Sequence, residues 1–123
     1  MADPREPTLR VAMLPRDTNA RGTIFGGVIL SHIDLAGAIA ASRQAPRNFV
    51  TRAMREVDFI APVYVGDIVS FYTCVLREGK TSVTIQVIVE AERSKEPRRQ
   101  VKVTEAEVVY VAVDEDGNPT PIR

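Results

Sequence analysis

Two periods of hydrophobic and polar positions divide the chain. From Gly22 to Ser42 (GTIFGGVILSHIDLAGAIAAS) the residues are apolar with little but Ser31, His32 and Asp34 to interrupt them. Framed by Gly26-Gly27 in front and Pro46 behind, this stretch predicts a helix from about Gly27 to Ser42. An apolar pattern nearly all round means a helix buried on most of its sides. It is too short to cross a bilayer, which takes about 20 apolar residues.

Beyond Asn48 the period becomes two. Ser82 to Glu92 alternates most cleanly, with Val83, Ile85, Val87 and Val89 on one face and Ser82, Thr84, Gln86 and Glu90 on the other. One apolar and one polar face suits an antiparallel sheet. Asn48 to Ile60, Ile68 to Glu78 and Val101 to Val113 read as further strands. Pro62, Gly66-Asp67, Gly79-Lys80 and the charged loop Arg93 to Arg99 punctuate them. Thr8 to Leu14 is a first strand, ended by Pro15 and followed by loop composition from Asp17 to Gly22. Residues 1–7 and 118–123 are expected to be loose.

The order is therefore one strand, one long apolar helix, then four strands joined by hairpin-length turns. That is an α+β domain with the sheet wrapped around the helix. A single helix covers only one face of a sheet, so the other face or an edge is expected to meet another copy, giving a dimer at least.

Composition narrows the function classes. The 123 residues suffice for one core, taken as a single domain. With 16 basic and 16 acidic side chains the net charge is zero, so there is no basic footprint for nucleic acid. A single cysteine, Cys74, excludes an internal disulfide framework, and with one histidine a zinc site is not expected. Cys74 reads as a small packed residue. The opening residues MADPREPTLR lack the apolar core of a signal peptide, so the expected compartment is the cytoplasm.

The chemistry centres on Asp34. Burying an unpaired carboxylate is expensive, so it is either a hydrogen-bonded structural group or a group that does chemistry. Gly26 and Gly27 are likewise either a tight turn into a buried helix or open amides at its positive end. His32, two residues from Asp34, does not share its helix face.

Three segments coincide in order and spacing: GTIFGGVILSHIDLAGAIAA, FIAPVYVGDIV, and GKTSVTIQVIVEAE leading to TEAEVVYVAVDEDGNP. Together they resemble the hotdog-fold acyl-CoA thioesterases, in the YciA-like branch related to cytosolic acyl-CoA hydrolases. The resemblance covers roughly residues 8 to 120. It implies a hotdog fold, an antiparallel sheet of five or six strands around the helix, paired subunits with active sites at their interface, and a trimer of dimers. It implies hydrolysis of acyl-CoA to free CoA and a carboxylic acid, without a metal or other cofactor.

In that reading Asp34 is the base or nucleophile, and the Gly27 amide, with Gly26, polarises the carbonyl. Asp34 lies about two turns beyond Gly27, so one subunit's loop is expected to face the other's helix. Thr23 stands where relatives commonly carry Asn or Asp, which puts the base role more firmly on Asp34. Asn19 is a turn former with a contact to ligand as its alternative role. Ile24, Phe25, Val57 and Phe59 are candidates to line the acyl chain. Lys80, Arg93, Lys95, Arg98 and Arg99, with the Ser82 hydroxyl, are candidates for the CoA phosphates. The alternatives are an acyl-CoA-binding sensor without catalysis, and a hotdog hydratase or dehydratase, for which His32 is the only histidine on offer.

Overall fold

The computed structural model describes residues 5–97 and 99–123. Strand β1 (Leu9–Ala12) is followed by helix α1 (Gly26–Ser42) and strands β2 (Asn48–Arg55), β3 (Ile68–Glu78), β4 (Ser82–Glu92) and β5 (Gln100–Val113). The five strands form one antiparallel sheet in the order β1-β3-β4-β5-β2. The helix packs across the inner face of β3, β4, β5 and β2. This is the hotdog arrangement, with five strands.

The two periods explain the core. Val83, Ile85, Val87 and Val89 of β4 are all fully buried, each contributing about 2 kcal/mol through removal of apolar surface from water. The helix meets them with Ile29, Ile33, Ala36, Gly37, Ala40 and Ala41. Small residues dominate that face, which lets the helix axis lie close to the sheet. The burial is less complete than the sequence suggests. Gly27, Ser31 and Ser42 are exposed in the single chain, and Leu35 on the same side keeps 49% of its surface open.

Element ends move for identifiable reasons. The first strand is shorter than Thr8 to Leu14, because Met13 leaves the β1–β3 ladder to exchange bonds with the Gly66-Asp67 turn (Met13 N to Asp67 O, 3.0 Å; Gly66 N to Met13 O, 2.9 Å). Gly66 has φ +89°, which only glycine adopts freely. The expected strand Asn48 to Ile60 stops at Arg55, since Glu56 takes φ +60° and turns the chain off the ladder. A left-handed conformation at a non-glycine residue costs about 1–2 kcal/mol. Glu56→Gly is therefore expected to stabilise the fold by about 0.5–1 kcal/mol net of its chain entropy, raising the thermal midpoint by about 3 °C. A midpoint unchanged or lowered in a thermal melt would remove strain at that position from the account.

The C-terminal residues return to the sheet. Residues 118–123 are not loose: Thr120 N bonds Ala112 O at 2.8 Å and Ile122 N bonds Lys80 O at 2.9 Å. Ile122 is 2% exposed, so its burial holds the returning tail down. In the lead-in, residues 1–4 lie outside the described residues, but Arg5 pairs with Glu90 at 2.9 Å and lies over the Tyr72 ring. Cys74, expected to be packed, is exposed.

Candidate active site

The loop before the helix is tied down by Asn19. Its Nδ2 donates to Thr23 Oγ1 at 2.8 Å, and its Oδ1 accepts from Arg21 N and Thr23 N at 2.8 and 3.2 Å. Asn19 is thus a turn former, and Thr23 retains its own hydroxyl proton to donate. Ile24 N bonds Val63 O at 2.8 Å, which draws the start of the helix against the segment after β2. Between them lies a cavity of about 290 Å³, lined by Thr23, Ile24, Gly26, Phe59, Pro62 and Val63 among others.

No side chain caps α1. The amides of Gly26 and Gly27 belong to the first turn, where the helix supplies no acceptor, and both residues are exposed. A Cβ at Gly27 would meet nothing within 4 Å, so a ligand can approach that amide closely. Of the apolar residues expected to line an acyl chain, Ile24 and Phe59 border the cavity. Val57 is half-buried against the core and Phe25 is 52% exposed, and neither borders this cavity.

Asp34 is half-buried, and it is not the isolated carboxylate the sequence suggests. Thr51 Oγ1 donates to its Oδ1 at 2.6 Å, and the Tyr110 hydroxyl lies 3.1 Å from the same oxygen. Oδ2 accepts no hydrogen bond from any described residue. The sequence reading missed Thr51 and Tyr110. They stand directly opposite each other in the β2–β5 ladder, a register that no local pattern announces. Along the helix, Asp34 lies about 10 Å beyond Gly27, at about 1.5 Å per residue. That separation is long for two groups of one chain to act on a single carbonyl.

His32 is engaged elsewhere. Its Nδ1 lies 2.8 Å from Val28 O and its ring stacks on Phe71. Among the described residues no group of His, Cys, Asp or Glu converges to hold a metal ion.

The basic candidates separate into two places. A cleft of about 640 Å³ is bordered by Tyr64, Asp67, Arg93, Lys95, Glu96 and Arg99. Arg93 is largely committed within it, 2.7 Å from Asp67 Oδ2 and 2.9 Å from Pro62 O. Arg99 pairs with Glu96 at 2.6 Å, whereas Lys95 has no partner among the described residues. Arg98 lies outside the described residues. Lys80 and Ser82 sit at the other end of β4, roughly 30 Å from Arg93 at about 3.3 Å per residue, and do not join this cleft.

A single helix wrapped by a five-stranded antiparallel sheet, with open helix-start amides and an acid two turns on, defines the class. The model of the thioesterase superfamily matches residues 21–97, and the chain belongs to that superfamily. It is 43% identical over 119 residues to the acyl-CoA thioester hydrolase YciA of Salmonella typhimurium, covering 95% of this chain and 90% of that protein. Among solved structures, a hexameric hotdog fold thioesterase of Campylobacter jejuni superposes with a TM-score of 0.90 at 48% identity, over 96% of this chain and 90% of that one. A hexameric broad specificity acyl-coenzyme A thioesterase, in an aspartate-to-alanine mutant form, superposes with a TM-score of 0.92 at 38% identity, over 97% and 87% of the two chains.

Proposed function

We propose that this protein is an acyl-CoA thioester hydrolase that uses Asp34 to activate water or attack the thioester carbon, releasing free CoA and a carboxylic acid. The observation that carries the reading is the Asp34 carboxylate, with Oδ1 held by the Thr51 hydroxyl and the Tyr110 hydroxyl shared between that oxygen and the Asp34 main-chain O, while Oδ2 is left open. Amides of Gly27 and Gly26 donate to the developing oxyanion, aided by the positive end of the helix. The Thr23 hydroxyl, at the cavity wall, donates to the carbonyl or holds the water. The acyl chain enters along Ile24 and Phe59.

Because the amides and the acid lie about two turns apart, the complete site pairs one copy's helix start with another copy's Asp34. Similar proteins are hexameric. The apolar surface left open at Leu35 on the helix and Val50 on edge strand β2 supports closure by a second copy. A trimer of dimers in the cytoplasm is the assembly and compartment proposed. No helix among the described residues is long and apolar enough to cross a membrane.

Incubation of the purified protein with a panel of acyl-CoA esters and a thiol-trapping reagent tests the activity directly. CoA binding without thiol release would favour an acyl-CoA sensor. The hydratase reading is disfavoured because the only histidine spends its Nδ1 on its own helix.

The basic cleft supports a role in receiving the nucleotide end of CoA, with Lys95 as its uncommitted cation. Lys95→Ala is expected to raise KM for acyl-CoA roughly threefold, the size of one exposed charge pair, and the effect should shrink as salt is added. A KM insensitive to both the substitution and the salt would place the phosphates elsewhere.

A further inference from the structure

Tyr110 is the largest of the fully buried side chains among the described residues, yet its hydroxyl is not spent inside the core. It stands opposite Thr51 in the β2–β5 ladder, and directly paired residues project from the same face of a sheet. Both hydroxyls therefore converge beneath the helix at Asp34. The Tyr110 oxygen lies 2.7 Å from the main-chain O of Asp34 and 3.1 Å from its Oδ1, so its single proton serves either acceptor.

The approach depends on Gly37, one turn further along the helix. A Cβ there would lie 2.9 Å from two ring carbons of Tyr110 and nearer still to its hydroxyl. Burial, and then the neighbouring Asp34 charge, push the Tyr110 phenol far above its ordinary value. It stays protonated and is a standing donor rather than a base.

We propose that Tyr110 is a positioning residue for the hydrolysis, one that pins Asp34 Oδ1 together with Thr51 so that Oδ2 is the oxygen presented to water or thioester, with Gly37 as the gap that admits it. The inference rests on the reading of Asp34 as the reacting acid. It adds a residue 76 positions away that touches no substrate and acts through the carboxylate. Glycine at position 37 has the same cause: the phenol oxygen occupies the space of its side chain.

Tyr110→Phe keeps the ring and removes only the donor. The expected result is a kcat lowered roughly tenfold, the size of one hydrogen bond to a charged group, with KM unchanged. In an Asp34→Asn background the same substitution is expected to cost less than twofold, since the group it positions is already gone. Should Tyr110→Phe fail to fold, Gly37→Ala carries the same test, because it keeps the hydroxyl and drives it off the carboxylate. Full kcat in folded Tyr110→Phe, with or without a lowered thermal midpoint, would overturn the proposal, as would equal losses in both backgrounds. Full turnover in Asp34→Asn itself would remove the acid from the reaction and this proposal with it. An inactive Asp34→Asn beside a fully active Tyr110→Phe would sink the positioning role alone.

Discussion

Asp34→Asn is expected to lower turnover about a thousandfold while leaving CoA affinity within a factor of two. The amide is nearly isosteric and its oxygen still accepts from Thr51 Oγ1 and the Tyr110 hydroxyl, which are 2.6 and 3.1 Å away in the parent. The local fold therefore survives. What disappears is the negative charge and the lone pair that accepts a proton or attacks carbon, and positioned acid–base groups contribute about 10²–10⁴-fold. CoA should still bind, because the basic cleft at Lys95 is lined by a different part of the chain. Thiol release measured with saturating acyl-CoA, alongside calorimetric CoA binding, checks both halves. Wild-type turnover in the variant would leave Asp34 a structural group.

Arg93→Met is expected to lower the thermal midpoint by about 10 °C with a smaller effect on catalysis. Asp67 is 1% exposed, and its carboxylate is held by Arg93 Nη1 at 2.7 Å, Tyr64 N at 2.9 Å and Ser94 N at 3.2 Å. Methionine keeps the apolar stem but strands the buried carboxylate without a counter-charge. Breaking a fully buried pair costs about 3–5 kcal/mol. Arg93 retains 14% of its side-chain surface, so about 2–3 kcal/mol is the better figure, and at this chain length that is about 10 °C. The same variant separates two roles. A raised KM with an unmoved midpoint would mean that the guanidinium serves the ligand rather than the turn.

The resemblance carried by the three segments placed the chain in its superfamily, and the periods of apolar residues placed the elements. The helix begins within one residue of its expected start. The alternation of β4 appears as an unbroken row of buried valines and isoleucine. The site was legible only in part. Asp34 and the two glycines stood out because an acid in an apolar helix and a Gly-Gly before it are local anomalies. The basic residues looked alike in sequence, yet Arg93 is taken up by Asp67, Lys80 and Ser82 sit at the far end of β4, and Lys95 is left uncommitted. Sequence spacing does not reveal which end of a sheet a hairpin occupies.

The amino-acid order by itself determined where helix, strands and turns form, because apolar period, glycine and proline act over a few residues. Tertiary structure alone decided what surrounds Asp34. Thr51 and Tyr110 reach it from strands 17 and 76 positions away, brought together by ladder register and by the absence of a Cβ at Gly37. It also decided that the tail returns to bury Ile122 against the sheet. Register and close approach are settled when whole faces pack, since a one-residue slip would turn every side chain of a strand to its other face.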